Sequence, residues 1–307
     1  MIFVTGGTGY LGSALIELLL KQGHSVRALV RRPERSDVLA ASVEQVAGDL
    51  SDEGVLERAM AECEGVFHLA ASVGGTLEET RDFNTEGTRR VLNAARRAGV
   101  RRVVHTSSSA AIIRADGLVS ENHEGDTALI DPYSVTKAEA ERVVFDAVAG
   151  GLDVRIVNVV NAYGPSPRGP FSYNALIRAS CEGRVSHVVD ARVGWVLAED
   201  VAVGHLLAYD KGAAGKRYIL CGEVATFSTF LGACARLWPG GAMPAVLPPG
   251  SDLPPEAMLF SRRSEVYGKL GPVAIEDANA RALGFRGRGI EDCLAETIPW
   301  IRASIRG

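Results

Sequence analysis

The chain has 307 residues, 47% hydrophobic and 23% charged, which is enough apolar mass for one large core or two domains sharing an interface and argues against wholesale disorder. A net charge of −4 and a pI near 5.9 exclude the basic excess of a nucleic-acid or acidic-membrane binder. The five cysteines (Cys63, Cys181, Cys221, Cys234 and Cys293) are scattered without CxxC spacing, so no disulfide framework and no metal site is expected.

Met1 to Thr5 reads as a buried strand, not as the basic start of a signal peptide, and no stretch reaches 18 uninterrupted apolar residues. No membrane association and a cytoplasmic location are expected. Gly12 to Gln22 reads as a helix ending at Gly23. Strands are expected at Ser25–Arg31, Val43–Ala47, Gly65–Ala70, Arg102–Ser107 and Asp153–Val160. Helices are expected at about Asp52–Glu62, Phe83–Ala98 and Pro132–Ala149, the last closed by Gly150-Gly151. Short apolar runs alternating with amphipathic helices predict an α/β fold, a doubly wound parallel Rossmann sheet covered on both faces. Beyond Gly164-Pro165 the rhythm weakens. A helix over Ser172–Glu182, strands at Arg184–Val189 and Gly194–Val196, a helix over Val201–Tyr209 and a strand at Arg217–Cys221 are expected. Pro239 to Pro255 holds six of the thirteen prolines and reads as a loop, and Ile275–Ile305 as two helices. The expected division is a nucleotide-binding domain over 1–165 with 194–221 returning to it, and a smaller substrate-binding region over 166–193 and 222–307.

Gly6, Gly9 and Gly12 follow a strand and open a helix, in the segment that also holds Thr8, Tyr10 and Leu11. That context suits a dinucleotide pyrophosphate resting on backbone N–H groups at a helix N-terminus. Arg31 lies 19 residues after Gly12, with Arg32 beside it, where NAD sites usually carry an acidic residue. A guanidinium there can fork onto a 2′-phosphate, which predicts NADP(H), the other reading being two solvated arginines. Asp49, followed by Leu50, could accept a hydrogen bond from an adenine amino group or cap a helix.

Tyr133 and Lys137 share a helix face at i and i+4. A phenol near pKa 10 suits proton transfer poorly, and the Lys137 ammonium is expected to lower it. The fifth strand ends in Thr106-Ser107-Ser108-Ser109, where α/β folds collect their polar groups.

These residues resemble the extended short-chain dehydrogenase/reductase family. The likeness runs through Thr5–Gly12, Gly48–Leu50, Val66–Ala71, Asn84–Thr88, Val103–Ser108, Tyr133/Lys137 and Asn161–Pro165, strongly to about residue 221 and weakly beyond. Arg31, the Thr-Ser-Ser strand end and Leu283-Gly284-Phe285 are similar to the dihydroflavonol-reductase-like branch. The resemblance implies a Ser–Tyr–Lys triad of Ser108 (with Ser109 as runner-up), Tyr133 and Lys137, supported by Asn84, whose alternative is a capping or packing role. It implies cofactor contacts that extend to Leu69, Ala70, Ala71 and Asn161, and a homodimer built on the helices near 84–98 and 132–149. Two positions depart from the family. Asn158-Val159 stand where Arg-Pro is usual, and Leu197 stands where His is frequent. Asp200 is expected to cap the helix from Val201.

The sugar-nucleotide enzymes of the family usually carry a Gly-Asp-Gly-x-x-x-Arg-Asp-like stretch, which Val188–Trp195 lacks. Tyr163, Phe171, Tyr173 and Trp195, and with them Met258, are expected to line an apolar pocket for a hydrophobic carbonyl substrate. His123 and His187 are expected at the surface. The reading is an NADPH-dependent ketone or aldehyde reductase. The alternatives are a sugar or sugar-nucleotide epimerase/dehydratase and a non-catalytic NADP-binding sensor.

Overall fold

The structure is a computed structural model describing residues 1–32 and 36–305. Largely buried apolar runs form the centre, β1 (Ile2–Thr5), β2 (Val26–Val30), β4 (Gly65–His68) and β5 (Arg102–Ser108), with the mostly exposed β3 (Glu44–Ala47) at the edge. Leu118–Ser120 (β6) is a short outlying strand, Val154–Val159 (β7) returns to the centre, and Asn161–Tyr163 (β8) leaves it. Then come β9 (His187–Val189), β10 (Arg192–Leu197), β11 (Arg217–Leu220), β12 (Glu223–Thr226), β13 (Ala245–Leu247) and β14 (Ala274–Glu276).

The main sheet has seven strands in the order β11-β7-β5-β4-β1-β2-β3, every neighbouring pair parallel. The chain winds outward from β1 to β3, then restarts on the other side of β1 at β4. That reversal opens a crevice at the strand C-termini. Alternation along the strands supplies two cores. Ile2, Val4, Phe67, Val104 and Val157 face one way, and Phe3, Val66, Val103 and Ile156 face the other. Helix α1 (Tyr10–Lys21) buries Gly12, Leu15, Ile16 and Leu19, a helical stripe, against the first face. The second face is covered by α2 (Glu53–Met60) and, after the short α3 (Leu77–Arg81), by α4 (Gly87–Arg97) and α5 (Pro132–Ala149).

The remaining helices are α6 (Tyr173–Cys181), α7 (Ala198–Lys211), α8 (Phe227–Leu237), α9 (Leu259–Gly268), α10 (Ala278–Ala282) and α11 (Ile290–Ala303). A three-stranded sheet, β12-β10-β8, carries the C-terminal layer, with Trp195 stacked on Phe230 at 3.7 Å between ring centroids. The buried Glu121 carboxylate ties that layer to the main sheet. It accepts from the backbone N–H of Ile219 at 2.9 Å, Asn279 at 2.5 Å and Ala280 at 3.0 Å.

The expected doubly wound parallel sheet is present, and several local expectations change. The Phe83–Ala98 helix is not a regular α-helix over its length and begins earlier: a π-helical turn, Asp82–Glu86, joins α3 to α4 in one continuous helical stretch. Pro239–Pro255 is not all loop, because β13 lies within it and pairs with β9. Ile275 sits in β14, paired with β6, rather than in a helix. Asp200 is not an N-cap. Helix α7 starts at Ala198, and Asp200 in its first turn accepts from the Arg288 backbone N–H at 2.9 Å and from its Nε at 2.8 Å. His123 is buried rather than at the surface, with neither ring nitrogen hydrogen-bonded. No described helix is long and apolar enough to cross a membrane. No group of three His, Cys, Asp or Glu among the described residues is arranged to hold a metal.

Candidate active site

The glycine loop lies between β1 and α1, at the crevice. Gly6 has φ +74, and a Cβ there would lie 2.6 Å from the Ala70 backbone nitrogen. A Cβ on Gly12 would strike the Gly6 carbonyl oxygen. Gly9 is the N-cap residue and brings no side chain to the first-turn N–H groups. The result is a tight concave turn of uncapped donors at the positive end of a helix, a cradle that fits a dinucleotide pyrophosphate. Thr8 and Leu11 are half-buried in it. Tyr10 turns away: its hydroxyl donates to the Gly164 carbonyl at 2.8 Å and accepts from Asn174 Nδ2 at 3.0 Å. That buried bond joins the loop to the segment before α6, and nothing in the sequence around Asn174 announced it.

Arg31 and Arg32 lie exposed just beyond β2, with the Arg31 guanidinium 5.6 Å from the Phe83 ring centroid. Leu50 is buried. Asp49 accepts from the Ser51 backbone N–H at 3.0 Å, and the cap of α2 is Asp52 instead. Leu69, Ala70 and Ala71 follow β4, where the Leu69 N–H donates to the Thr5 carbonyl at 3.1 Å.

A buried polar line runs beneath this loop. Thr88 Oγ1 donates to the Asn84 carbonyl at 2.6 Å, so it accepts from His68 Nε2 at 3.1 Å. His68 Nδ1 then accepts from Thr5 Oγ1 at 2.7 Å. This donor accounting places the His68 proton on Nε2. Burial first, and the Lys137 charge second, hold its pKa down at about 3, so the ring stays neutral. Asn84 sits in the π-turn. Its Oδ1 accepts from the Ser72 N–H at 2.8 Å, and its Nδ2 donates to Thr136 Oγ1 at 3.0 Å. It thus connects the loop after β4 to the Tyr133 turn of α5.

The sheet and α5 bring Ser108, Tyr133 and Lys137 together. Asp131 caps α5 by accepting from the Ser134 N–H at 3.1 Å, Pro132 occupies the first turn, and Tyr133 follows. Ser108 ends β5, accepts from the Ala110 N–H at 3.2 Å, and its hydroxyl acts on the Tyr133 phenol to lower its pKa. Ser109 opens the next short turn and is also buried. Lys137 is 2% exposed, and its Nζ donates to the Thr106 carbonyl at 2.6 Å. Burial pulls its pKa down to about 8.

The expected lowering of Tyr133 by Lys137 does not appear. Burial raises the phenol above its ordinary value, and the leading opposing influences are the Ser108 hydroxyl and the Arg263 guanidinium. Asn158, where the family often has Arg, serves the same end of β5. Its Nδ2 donates to the Ser108 carbonyl at 3.1 Å and to Glu141 Oε1 at 2.6 Å, while Glu141 is also paired with Arg217 at 2.7 Å. Asn161, in β8, is buried.

The aromatic wall is largely core. Tyr163 and Trp195 are 1% and 0% exposed, packed edge to face at 6.4 Å, which corrects their expected place in a pocket lining. Phe171 is exposed beneath Arg168. Met258 is half-buried against the core. Tyr173 is buried, but it reaches the Arg263 guanidinium beside Tyr133. Arg263 and Tyr267 of α9 stand at the site, and sequence reasoning missed both because their segment carries no motif. Two hollows, about 730 Å³ around Arg114, His123 and Glu276 and about 410 Å³ between α1, α7 and α11, include none of the triad.

A doubly wound sheet with a glycine cradle at its switch point, and Ser, Tyr and Lys at the end of the fifth strand, defines a nucleotide-dependent short-chain dehydrogenase/reductase architecture. Residues 2–221 match the model of the NAD dependent epimerase/dehydratase family, and the chain belongs to that family, the extended short-chain dehydrogenase/reductases. Dihydroflavonol-4-reductase-like and cinnamoyl-CoA reductases are among its homologues, and it is an NAD(P)-dependent oxidoreductase. It is 35% identical to sterol demethylase protein B of Methylococcus capsulatus, over 97% of each chain. It is 33% identical to a 4-hydroxy-2-methyl-3-oxo-4-farnesyl-3,4-dihydroquinoline-1-oxide ketoreductase of Stigmatella aurantiaca, covering 93% of this chain and 92% of that one. The solved structure of MoeE5 in complex with UDP-glucose and NAD is 28% identical, with a TM-score of 0.80 over 99% of both chains.

Proposed function

We propose that the protein is an NADPH-dependent reductase of a ketone or aldehyde on a small hydrophobic substrate. The observation that carries the reading is the convergence of Ser108, Tyr133 and Lys137 at the end of β5. Ser108 orients the carbonyl oxygen and Tyr133 donates the proton that turns it into an alcohol. Lys137, held by Thr106, lies near the operating pH and replenishes that proton. NADPH, when bound, supplies the hydride. Gly6, Gly9 and Gly12 would cradle its pyrophosphate, Arg31 its 2′-phosphate, and Lys137 and Asn161 would hold its nicotinamide end. The ketoreductase relative, similar over nearly the whole chain, supports the carbonyl chemistry.

The decisive experiment is a turnover screen with NADPH and NADH across aryl ketones, aldehydes and UDP-glucose. UDP-glucose belongs in it because of the likeness to MoeE5. Tyr133→Phe is expected to bind NADPH normally and to lose turnover by about 10²-fold or more. Full activity in that variant would overturn the assignment of the proton donor.

The helix faces expected to dimerise are mostly used within the chain. Ala140 and Val144 are 0% exposed, and Ala138 is 9% exposed. A homodimer remains part of the proposal only through the exposed sides of α4 and α5, and sedimentation velocity tests it.

A further inference from the structure

The first turn of α5 is held from two directions. Within the chain's own turn, Asp131 accepts from the Ser134 N–H at 3.1 Å and from the Ser134 hydroxyl at 2.7 Å. From the C-terminal layer, Arg263 of α9 donates to the same Asp131 Oδ2 at 3.1 Å. Its other terminal nitrogen donates to the Tyr267 hydroxyl at 3.4 Å, and the guanidinium lies 5.1 Å from the Tyr267 ring centroid. Tyr173 of α6, on whose phenol this guanidinium also acts, is wedged at 5.3 Å against Trp195 and 5.0 Å against Phe260. The guanidinium is thus in contact with Tyr267, and its charge lowers the pKa of both Tyr133 and Tyr173 against the upward push of burial.

We propose that Arg263 is a positioning residue of the active site, which fixes the Tyr133 turn through its ion pair with Asp131 and sets a positive charge beside that turn. The proposal rests on Tyr133 being the proton donor, and it assigns a role to the C-terminal layer that the nucleotide-binding half cannot fill. Lys137 is committed to Thr106 and to the neighbourhood of Glu141, His68 and His105. The groups that act on the phenol are Ser108 from β5, Asp131 at the α5 cap, Tyr173 on α6, and Arg263 and Tyr267 on α9, while Lys137 lies one turn further along α5. Of the two cations, Arg263 is the one fixed by an ion pair to the residue that caps the Tyr133 turn. A carboxylate and a guanidinium bonded to each other act on a nearby phenol with opposite signs, which gives the test its discrimination.

The full-length protein labelled with ¹³C-tyrosine, without cofactor, is titrated by NMR, and the Tyr133 signal is identified by its loss in Tyr133→Phe. Arg263→Met is expected to shift Tyr133 ionisation to higher pH, Asp131→Asn to lower pH, and Arg263→Lys to restore the wild-type position. An Arg263→Met protein that melts as the wild type does and titrates with it would overturn the proposal. So would an Arg263→Lys protein that behaves like Arg263→Met, because packing and not charge would then be responsible. If Arg263→Met does not fold, Asp131→Asn decides: an unshifted Tyr133 refutes the role. The readout needs no turnover, so a chain that reduces no carbonyl would fail the functional reading and leave this result standing.

Discussion

Replacing Lys137 with methionine removes an ammonium that is 2% exposed and has moved from the ordinary 10.5 to about 8 through burial. That fall corresponds to about 3 kcal/mol of unfavourable burial of the charged form, an upper value for this site. The folded chain binds this proton more weakly than the unfolded chain. Below about pH 8 both states are protonated and the penalty is present in full. Between about pH 8 and 10.5 the folded state releases a proton that the unfolded state keeps, so the wild type gains stability as the pH rises through that window. Methionine lacks this dependence. It also leaves the Thr106 carbonyl without its 2.6 Å donor, so the absolute stability of the variant mixes two effects, whereas the change in the difference with pH isolates the charge. Urea denaturation of both proteins at pH 7, 8, 9 and 10 measures it. The wild type is expected to gain on the variant by about 1–3 kcal/mol over that range. Parallel curves would refute the claim that Lys137 is desolvated, and with it the claim that its ammonium is poised near the operating pH.

Gly12→Ala forces a Cβ into the Gly6 carbonyl. It is expected to cost about 1–3 kcal/mol of stability and to abolish NADPH binding, read by thermal melting and fluorescence titration. Arg31→Asp is expected to weaken NADPH binding by about tenfold or more and to favour NADH, a reversal checked by kcat/KM for both cofactors. Unchanged preference would mean that the guanidinium on Phe83 is only solvated. Glu121→Ala removes the acceptor of three backbone N–H groups that joins α10 to β11. A loss of about 2–4 kcal/mol and early proteolysis near residue 280 are expected, whereas wild-type protection would show that the C-terminal layer stands without it.

Much of the fold was legible because its signals are local. Pro132–Ala149 matches α5 to the residue, since Asp131, Pro132 and Gly150 mark its ends. Buried runs such as Val154–Val159 announce strands covered on both faces. The π-helical turn at Asp82–Glu86 was not legible, because it accompanies the bonds of Asn84 to Ser72 and Thr136, which are distant in sequence. Tyr163 and Trp195 had the right chemistry for a pocket wall, and only their packing against Phe230 places them in the core.

The sequence by itself determined the glycine cradle, the triad candidates and the winding of the sheet. Each is set by backbone sterics, helix spacing or apolar periodicity within a few residues. The tertiary structure decided what surrounds Tyr133. The bond from Lys137 to Thr106, the support of Ser108 by Asn158 and the approach of Arg263 through Asp131 all join residues far apart in the chain. Electrostatics at a partly buried phenol depends on distance and desolvation, and those are fixed only when the C-terminal layer closes over the sheet.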